Sequence, residues 1–377
     1  MNTIDRQPDL IVFGEDWGGL PSTTQKLISS MPADRKVLWV NSIGLRQPRF
    51  SLRDMKRVFS KIARKLDKDA VSGMAVPGHF HVLNPITVPA PRSHFARELA
   101  KRLLKRQVLA SCEALGIDSP ALWISLPTAV DLVGELNECT STYYCCDDFA
   151  SLAGVDHDTV SAREAELVDK ADRIIAVNDE LASRFPAEKV MVLTHGVDTQ
   201  LFTSPALRAD DLPRDGRPIA GFYGSLSEWI DIDMIAKTAR VLPGWNFVII
   251  GEACVDISEL EALPNVYLLG ARPHHELPRY SQHWSVSMLP FRNNRQIQAC
   301  NPMKLSEYLA AGSPIVSIDF PAIAPYKRYI DIIEEHGSMA QALLAARHRG
   351  DAICRTTSVA SLDWTHQAAR AEGWMMS

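Results

Sequence analysis

The chain has 377 residues, of which 46% are hydrophobic and 23% are charged. This length predicts two domains, and the composition excludes a disordered chain, a collagen-like repeat and a coiled-coil rod. The formal net charge of −5 argues against a dedicated nucleic-acid binder, so we expect no nucleic acid among the partners.

Charge is distributed unevenly along the chain. Residues 1–106 hold 19 basic and 9 acidic side chains, whereas the remainder holds 21 basic and 36 acidic ones. A basic front end on an acidic protein predicts an anionic ligand or surface at that end. The sequence lacks the apolar core of a secretory signal and the run of roughly 20 apolar residues that a membrane-spanning helix needs. We therefore expect a cytoplasmic location, peripheral on the inner face of the cell membrane.

The first half of the chain alternates short apolar runs with longer amphipathic segments. Short continuous apolar runs are typical of strands buried on both faces of a parallel sheet. The predicted strands are Leu10–Phe13, Lys36–Asn41, Phe80–Leu83, Ala121–Ser125, Thr142–Cys146, Arg173–Val177 and Val190–Thr194. The predicted helices between them include Phe95–Leu115 and Thr159–Lys170. This alternation predicts a doubly wound, Rossmann-like α/β domain over residues 1–198.

The alternation then starts again after residues 199–218, which are rich in Pro, Asp and Arg and are predicted to be a linker. The predicted strands are Ile219–Tyr223, Asn246–Ile250, Val266–Leu269, Ser285–Leu289 and Ile315–Ile318. The predicted helices are Ile232–Val241, His275–Gln282 and Met303–Ala311. They predict a second Rossmann-like domain over residues 219–360. A last helix over residues 361–377 could pack back on the first domain. Because ligands bind beyond the carboxyl ends of parallel strands, we expect the two domains to face a central cleft.

Residues 301–314, NPMKLSEYLAAGSP, carry the strongest local signal. Asn301 is a predicted N-cap and Pro302 the first helical residue, and a helix N-terminus attracts anions through its free N–H groups and its dipole. Lys304 would oppose that dipole unless a phosphate binds between them. Glu307, one turn later on the same face, could accept hydrogen bonds from ribose hydroxyls. An ordinary amphipathic helix with an exposed Lys–Glu pair fits the spacing equally well.

This segment resembles the nucleotide-binding helix of GT-B glycosyltransferases, in the large group that builds bacterial surface polysaccharides. In that family a Lys contacts the donor diphosphate and a Glu contacts the ribose. Other stretches resemble the same family in the expected order and extend the resemblance over most of residues 140–320. These stretches are Thr194–Asp198, Gly221–Leu226, Val248–Gly251, Asn265–Gly270 and Leu289–Phe291.

The resemblance implies a GT-B fold and a UDP-linked nucleotide-sugar as donor substrate, with no separate cofactor. The donor-binding residues that it implies are Lys304, Glu307, Gly224, Ser225, Asn301, Met303 and His195. A hydrogen-bonded structural role is an equal alternative for His195. Many retaining members of the superfamily carry a Glu eight positions before the matching Glu, where this sequence has Ala299. Inversion at the anomeric carbon is therefore favoured.

Two carboxylates, Asp147 and Asp148, directly follow the apolar run that ends at Cys146. A positioned carboxylate can take the proton of a sugar hydroxyl as that hydroxyl attacks the anomeric carbon, and a nearby like charge can raise the pKa of the carboxyl. The segment also resembles the strand-to-Asp element of inverting bacterial glucuronosyltransferases, in which the matching position is the base. That resemblance favours Asp147 as the catalytic base, with Asp148 as its alternate. An N-cap for the next helix or a solvated loop pair is the alternative reading.

Metal chemistry is not expected. An Asp pair could hold Mg²⁺ against a diphosphate, but nothing else in the sequence marks a cage of oxygen ligands. The seven cysteines show no CxxC spacing, which argues against a zinc site and a disulfide framework. We expect Lys304, a helix N-terminus and loop N–H groups to neutralise the leaving diphosphate instead.

The basic front end also contains the candidate acceptor and membrane residues. Glu15, Asp16, Gly18 and Gly19 follow the first strand and are predicted to bind the acceptor, with a plain tight turn as the equal alternative. Residues 46–69 and 92–106 are basic, with apolar residues interleaved at near-helical spacing, and they predict contact with an anionic membrane surface. The alternative is two solvated helix faces whose apolar sides pack on the sheet.

These observations together predict a glycosyltransferase of the hexosyl or glucuronosyl type. It would move a sugar from a nucleotide-sugar to a lipid-linked or oligosaccharide acceptor in exopolysaccharide or envelope glycan biosynthesis. Two other hypotheses stay open. One is a nucleotide-sugar epimerase on the same fold, and the other is a non-catalytic protein that binds sugar nucleotides.

Overall fold

A computed structural model describes residues 7–19, 22–42, 76–88, 93–149, 156–298, 300–334, 337–349 and 352–377. The chain forms two compact units. The first unit consists of two separate stretches of the chain, the residues up to Leu193 and the segment Ala368–Ser377. The second unit is Thr194–Gln367. Residues 199–218 were predicted to be a linker, but they belong to the second unit and bury Ala209 and Leu212 in its core.

Within these ranges, the first unit is built on one sheet of seven parallel strands. The strands are β1 (Leu10–Phe13), β2 (Val37–Val40), β3 (Phe80–Leu83), β4 (Ala121–Ile124), β5 (Thr140–Cys145), β6 (Arg173–Ala176) and β7 (Val190–Val192). Their order is β3-β2-β1-β4-β5-β6-β7, with β1 paired in parallel to both β2 and β4. The strand order reverses at β1 and β4, and in doubly wound sheets ligands bind beyond the carboxyl ends of the strands at such a reversal.

In the described part of the first unit, four helices lie between these strands. They are α1 (Thr23–Ser29), α2 (His94–Leu115), α3 (His157–Lys170) and α4 (Asp179–Ala182), with a 3-10 segment at Pro127–Leu132. Each of the four begins where a polar side chain accepts a hydrogen bond from a first-turn N–H. In α2 this cap is Ser93, and the helix ends at Gly116, whose φ of 61° few other residues adopt without strain.

The second unit holds a sheet of six parallel strands. The strands are β8 (Ile219–Tyr223), β9 (Asn246–Ile250), β10 (Val266–Leu268), β11 (Val286–Leu289), β12 (Ile315–Ile318) and β13 (Ile330–Ile333), in the order β10-β9-β8-β11-β12-β13. The four central strands of this sheet, β9, β8, β11 and β12, are buried at every residue. The predicted α/β class with two doubly wound sheets is confirmed. β13 was not predicted.

The helices of the second unit are short. They are α5 (Thr199–Thr203), α6 (Ile232–Val241), α7 (Ser258–Glu261), α8 (Pro278–Ser281), α9 (Arg295–Gln298), α10 (Met303–Ala311), α11 (Met339–Ala346) and α12 (Ala352–Ser358). The single helix predicted over His275–Gln282 is instead a 3-10 turn, His274–Glu276, followed by α8. Pro278 explains the break, because proline lacks the N–H that a continuous helix would use there.

The last helix, α13 (Trp364–Met375), contributes its residues from Ala368 onward to the first unit. The Trp374 indole Nε1–H donates a hydrogen bond to the Ile174 carbonyl in β6 at 3.0 Å. Glu372 forms an ion pair with Arg35, whose side chain is completely buried. Burial lowers the pKa of Arg35, and the charges of Asp34 and Asp9 act in the opposite direction. Among the described residues, none of the helices has the length and apolar character required to cross a membrane.

We expect Glu372→Ala to lower the free energy of unfolding by about 3 kcal/mol, because it leaves a charged guanidinium buried without its partner. Urea denaturation would measure the loss. The matched control is Glu98→Ala, which removes a solvent-exposed i,i+4 pair with Arg102 and should cost no more than about 0.5 kcal/mol. Equal losses for the two variants would show that the Arg35–Glu372 pair does not anchor α13.

Candidate functional site

Two neighbouring strands of the second unit end in glycines. Gly224 follows β8 and Gly251 follows β9, with φ values of +135° and +150°. The Gly224 N–H donates to the Ile250 carbonyl at 2.8 Å, so the two strand ends lie side by side. A Cβ added at Gly251 would lie 2.1 Å from the Gly224 carbonyl oxygen. A side chain is therefore excluded at both positions, and the backbone at the carboxyl edge of the sheet carries no side chain there.

The Lys304 side chain, from the first turn of α10, lies over this bare backbone. A Cβ added at Gly224 would lie 2.2 Å from Lys304 Cε and 2.8 Å from Nζ. The ammonium is also 6.0 Å from the centre of the Phe222 ring. Burial lowers the pKa of Lys304, and the charge of Glu307 acts in the opposite direction. In the part of the chain that the structure describes, no carboxylate forms a salt bridge with this ammonium, so its charge is available to an anion.

The start of α10 differs by one residue from the prediction. Pro302, not Asn301, occupies the N-cap position, with ψ of 125° and no side-chain cap, and the helix begins at Met303. The predicted N-cap role of Asn301 is therefore wrong. Pro302 has extended backbone, with φ of −75° beside that ψ, so the cap moves to Pro302 and Asn301 lies one residue before it. Pro302 offers no side-chain cap, and of the first-turn N–H groups that of Leu305 donates to the Pro302 carbonyl at 3.0 Å.

The Glu307 carboxylate is buried and is held on both oxygens. Its Oε2 accepts a hydrogen bond from the Tyr223 hydroxyl at 2.6 Å, and its Oε1 lies 2.7 Å from His274 Nε2. Tyr223 ends β8, and His274 lies in the segment after β10. Burial and the neighbouring charge of Glu307 raise the pKa of Tyr223 well above its usual value, so it remains a donor. Each carboxylate oxygen retains a second lone pair that could accept from a ligand hydroxyl.

His274 was missed by the sequence analysis. Its ring packs edge-on against Phe202 of α5, with ring centres 5.5 Å apart, while its Nε2 contacts Glu307. The only sequence signal was a pair of histidines in a loop that follows a strand. That signal is weak, because many surface loops contain histidine, and the partner carboxylate is distant in sequence.

The other predicted donor residues have different surroundings. Ser225 is exposed next to Gly224, whereas His195 is buried. Next to His195, a Cβ added at Gly196 would lie 2.5 Å from the Trp364 ring, and the Val197 N–H donates to the Leu362 carbonyl at 2.8 Å. This tight packing favours the structural interpretation of His195. Met303 begins α10 and is half-buried.

In the first unit, the two aspartates after β5 have different environments. Asp148 is almost buried, and its Oδ1 accepts a hydrogen bond from Arg184 Nη1 at 2.7 Å. Arg184 also contacts Glu164, at 3.5 Å. Asp147 is exposed, with the Cys146 thiol 3.4 Å from its Oδ2. The surrounding chain desolvates Asp147 and, together with the charge of Asp148, raises its pKa. Of the pair, Asp147 is the residue that can meet a substrate.

The residues after β1 form a turn beside these aspartates. The Gly19 N–H donates to the Asp16 carbonyl at 3.0 Å, and Gly18 has a φ of 74°. Asp16 Oδ1 accepts hydrogen bonds from the Ser42 hydroxyl and N–H at 2.9 and 3.1 Å. The Glu15 carboxylate accepts one from the Ser22 hydroxyl. Burial raises the pKa of Glu15, and the charges of Asp16 and Asp147 add to the effect. The carboxyl edge of the first sheet therefore concentrates negative charge.

No group of three or more His, Cys, Asp or Glu side chains within the described ranges could hold a metal ion. Of the two predicted basic segments, residues 46–69 lie outside the described residues. In residues 92–106, Arg97 pairs with Asp131 and Glu166. Lys101 and Lys105 both pair with Glu135 at 2.5 Å. Acids of the same unit therefore neutralise these three charges, and the predicted membrane contact of the segment stays a prediction.

Comparison with known proteins shows what the chain is similar to in sequence. Residues 217–349 match the family model described as glycosyl transferases group 1. The putative teichuronic acid biosynthesis glycosyltransferase TuaH of Bacillus subtilis strain 168 is 28% identical over 228 residues, which are 55% of this chain and 57% of that protein. The matched part is thus little more than half the length of this curated relative.

Two solved structures resemble the chain over nearly its whole length. Alr3699/HepE of Anabaena, in complex with UDP and glucose, has a TM-score of 0.66 and 13% identity, and covers 97% of this chain and 99% of its own. Sucrose-phosphate synthase of Thermosynechococcus elongatus has a TM-score of 0.67 and 15% identity, and covers 98% of both chains. At such identities the likeness is one of fold.

Burial lowers the pKa of His195 from 6.5 to about 4. An unfolded chain therefore binds a proton at this imidazole below pH 6.5 that the folded chain does not bind until about pH 4, so stability falls as the pH falls through this window. Between about pH 7.5 and about pH 5, we expect the wild type to lose about 2 kcal/mol more unfolding free energy than His195→Gln. Urea denaturation at both pH values would measure this, and His348→Gln, at an exposed position, should respond like the wild type. Identical pH responses of wild type and His195→Gln would contradict it.

Proposed function

We propose that this chain, which has the GT-B fold and carries a glycosyltransferase group 1 domain at residues 217–349, is a glycosyltransferase of bacterial surface-polysaccharide assembly. It transfers a sugar from a nucleotide-sugar to a glycan acceptor. The observation that carries the proposal is the Lys304 ammonium over the bare backbone of Gly224, unpaired with any described carboxylate. A diphosphate is the ligand that such a half-buried cation beside a helix N-terminus would bind.

The donor is held by the second unit in this proposal. Lys304 and the first-turn N–H groups of α10 contact the diphosphate, and Ser225 lies at the same strand end. Glu307 accepts hydrogen bonds from the ribose, while Tyr223 and His274 fix its orientation. Two structures of Alr3699/HepE contain UDP and UDP-glucose, which supports a UDP-linked sugar as the donor. The positive charge that a leaving diphosphate requires comes from Lys304 and the helix, so the reaction needs no metal.

The acceptor is activated by the first unit. Asp147 accepts the proton of an acceptor hydroxyl while that oxygen forms a bond to the anomeric carbon and the bond from this carbon to the diphosphate breaks. The raised pKa of Asp147 makes it a stronger base than an ordinary carboxylate. Direct attack of this kind inverts the configuration. Glu15, Asp16, Gly18 and Gly19 lie at the same edge of the sheet and contribute the acceptor site, and Asp148 holds the loop through Arg184.

A lipid-linked glycan of envelope or exopolysaccharide biosynthesis is the proposed acceptor. The similarity to a protein named for teichuronic acid biosynthesis supports a surface polymer as the product. Two other functions remain distinguishable by experiment. An epimerase would convert the donor sugar without any acceptor, and a binding protein would hold the donor without turnover.

We expect Lys304→Ala to weaken UDP binding by about 10- to 100-fold, because it removes a charge-assisted contact to phosphate. Isothermal titration with UDP would measure the affinity. Arg214→Ala is the matched control, since it removes a cation of the same unit that is exposed and paired with Asp210. If Lys304→Ala binds UDP as tightly as the control, the donor site is placed wrongly.

We expect Asp147→Asn to reduce transfer by at least about 100-fold while UDP affinity stays unchanged, because the amide keeps the shape of the side chain but cannot take the proton. The assay is UDP release from UDP-sugars, with and without glycolipid extract as acceptor. Asp158→Asn, at an exposed position in the first turn of α3, is the control. Full activity of Asp147→Asn would contradict the assignment of Asp147 as the base. Turnover of the donor at the same rate with and without acceptor would favour the epimerase.

A further inference from the structure

The outward face of α2 is apolar, which is unusual for a helix that already buries its opposite face. Its buried residues are Ala100, Leu104, Val108 and Cys112, and they pack on the protein. Phe95 on the other face is 81% exposed, and Leu99, Leu103 and Leu109 are exposed as well. At about 100° per residue, these four side chains fall within about one third of the helix circumference, opposite the buried ones. A helix in water normally presents polar residues there.

Two arginines lie in the same stripe. Arg102 and Arg106 fall between Phe95 and Leu109 on the outward face, whereas the other cations of the helix turn toward acids of the first unit. Arg102 has only an exposed pair with Glu98, one turn earlier on the helix. Arg106 is exposed and forms no salt bridge within the described residues. The stripe therefore combines exposed apolar side chains with two positive charges that the unit itself neutralises weakly or not at all.

Ile86 extends the stripe sideways. It is 60% exposed. Its N–H donates to Gln107 Oε1 at 2.9 Å, and Gln107 Nε2 donates to the carbonyls of Ile86 and Leu103, each at 2.8 Å. These hydrogen bonds fix Ile86 beside Leu103. The apolar surface is thus broader than one helix and is held in place by hydrogen bonds.

We propose that this docking face, Ile86, Phe95, Leu99, Leu103 and Leu109 with Arg102 and Arg106, binds the first unit to an anionic lipid bilayer. Helix α2 lies in the plane of the interface, where its apolar side chains enter the boundary of the acyl chains and its two guanidinium groups contact lipid phosphates. The stripe from Phe95 to Leu109 is about 21 Å long, so several lipids can contact it at once. The proposal rests on the proposed function only for its purpose, which is access to a lipid-linked acceptor.

Charge decides between a bilayer and a second copy of the chain. Arg102 lies at the middle of the stripe. A two-fold dimer through this face would bring Arg102 and Arg106 of one copy against the same residues of the other, and like charges in contact are unfavourable. An anionic bilayer instead neutralises both residues while it covers the apolar side chains. The arrangement therefore favours lipid over self-association.

Vesicle co-sedimentation of the full chain tests the proposal. The vesicles are phosphatidylcholine alone and phosphatidylcholine mixed with phosphatidylglycerol. We expect the double variant Phe95→Ser, Leu99→Ser to bind the mixed vesicles at least about tenfold more weakly than the wild type. We expect Arg102→Gln, Arg106→Gln to lose about tenfold on the mixed vesicles and little on the neutral ones.

The matched control is Leu207→Ser, Val241→Ser, which removes two exposed apolar residues of the second unit, 84% and 67% exposed, and should bind vesicles like the wild type. The proposal is overturned if the Phe95→Ser, Leu99→Ser variant binds mixed vesicles as tightly as the wild type. It is also overturned if the wild type does not bind mixed vesicles. The proposal is overturned as well if the wild type is a dimer that does not bind vesicles and the variant is a monomer. That result would identify a second copy of the chain as the occupant of the docking face.

A UDP thermal shift on the same samples separates this proposal from the proposed function. Lost vesicle binding with an intact UDP shift confirms that a variant is folded and assigns the loss to the docking face. A wild type that binds vesicles but shows no UDP shift leaves the docking face supported and contradicts the donor site instead.

Discussion

The approach of Lys304 to a bare strand end is the constraint on which the proposed donor site depends. A side chain at Gly224 would occupy the space that the Lys304 alkyl chain fills, and one at Gly251 would strike the Gly224 carbonyl. Two glycines therefore bring a cation to the sheet edge, and the partly desolvated position disfavours its charge until an anion arrives. The same edge orients Glu307 through Tyr223 of β8 and His274 beyond β10, so one end of one sheet supplies both the phosphate and the ribose contacts of the proposal.

Most of the fold could be predicted because buried parallel strands have short, continuous apolar sequences. The two-sheet α/β architecture and the resemblance to GT-B glycosyltransferases of the surface-polysaccharide type are confirmed, and the predicted strands lie within about two residues of the observed ones. The failures have local causes. β13 contains Asp331 within its four residues and follows a long 3-10 segment, so it has no continuous apolar run. Residues 199–218 resemble a linker in composition, yet Ala209 and Leu212 join the core.

The site was predictable only where a motif is contiguous in sequence. The helix that bears Lys304 and Glu307 is local, and so is the pair Asp147 and Asp148. Contacts between distant residues carry no such signal. The link between Arg184 and Asp148, which separates the roles of the two aspartates, joins residues 36 apart, and the His274–Glu307 contact joins residues 33 apart. The ion pairs of Arg97 and Lys101 in the basic segment 92–106 could not be predicted for the same reason, since Asp131 and Glu135 lie on other parts of the chain.

The path of the chain through the two units has a consequence for synthesis. The first unit is discontinuous, because Ala368–Ser377 complete it only after the whole second unit has been made. Until Glu372 leaves the ribosome, the guanidinium of Arg35 lacks this ion-pair partner, and the Ile174 carbonyl lacks the Trp374 indole. The usual order of co-translational folding, in which the N-terminal domain matures first, therefore does not apply. The second unit ends at Gln367, directly before the closing segment begins, so the two units are completed at almost the same stage of synthesis.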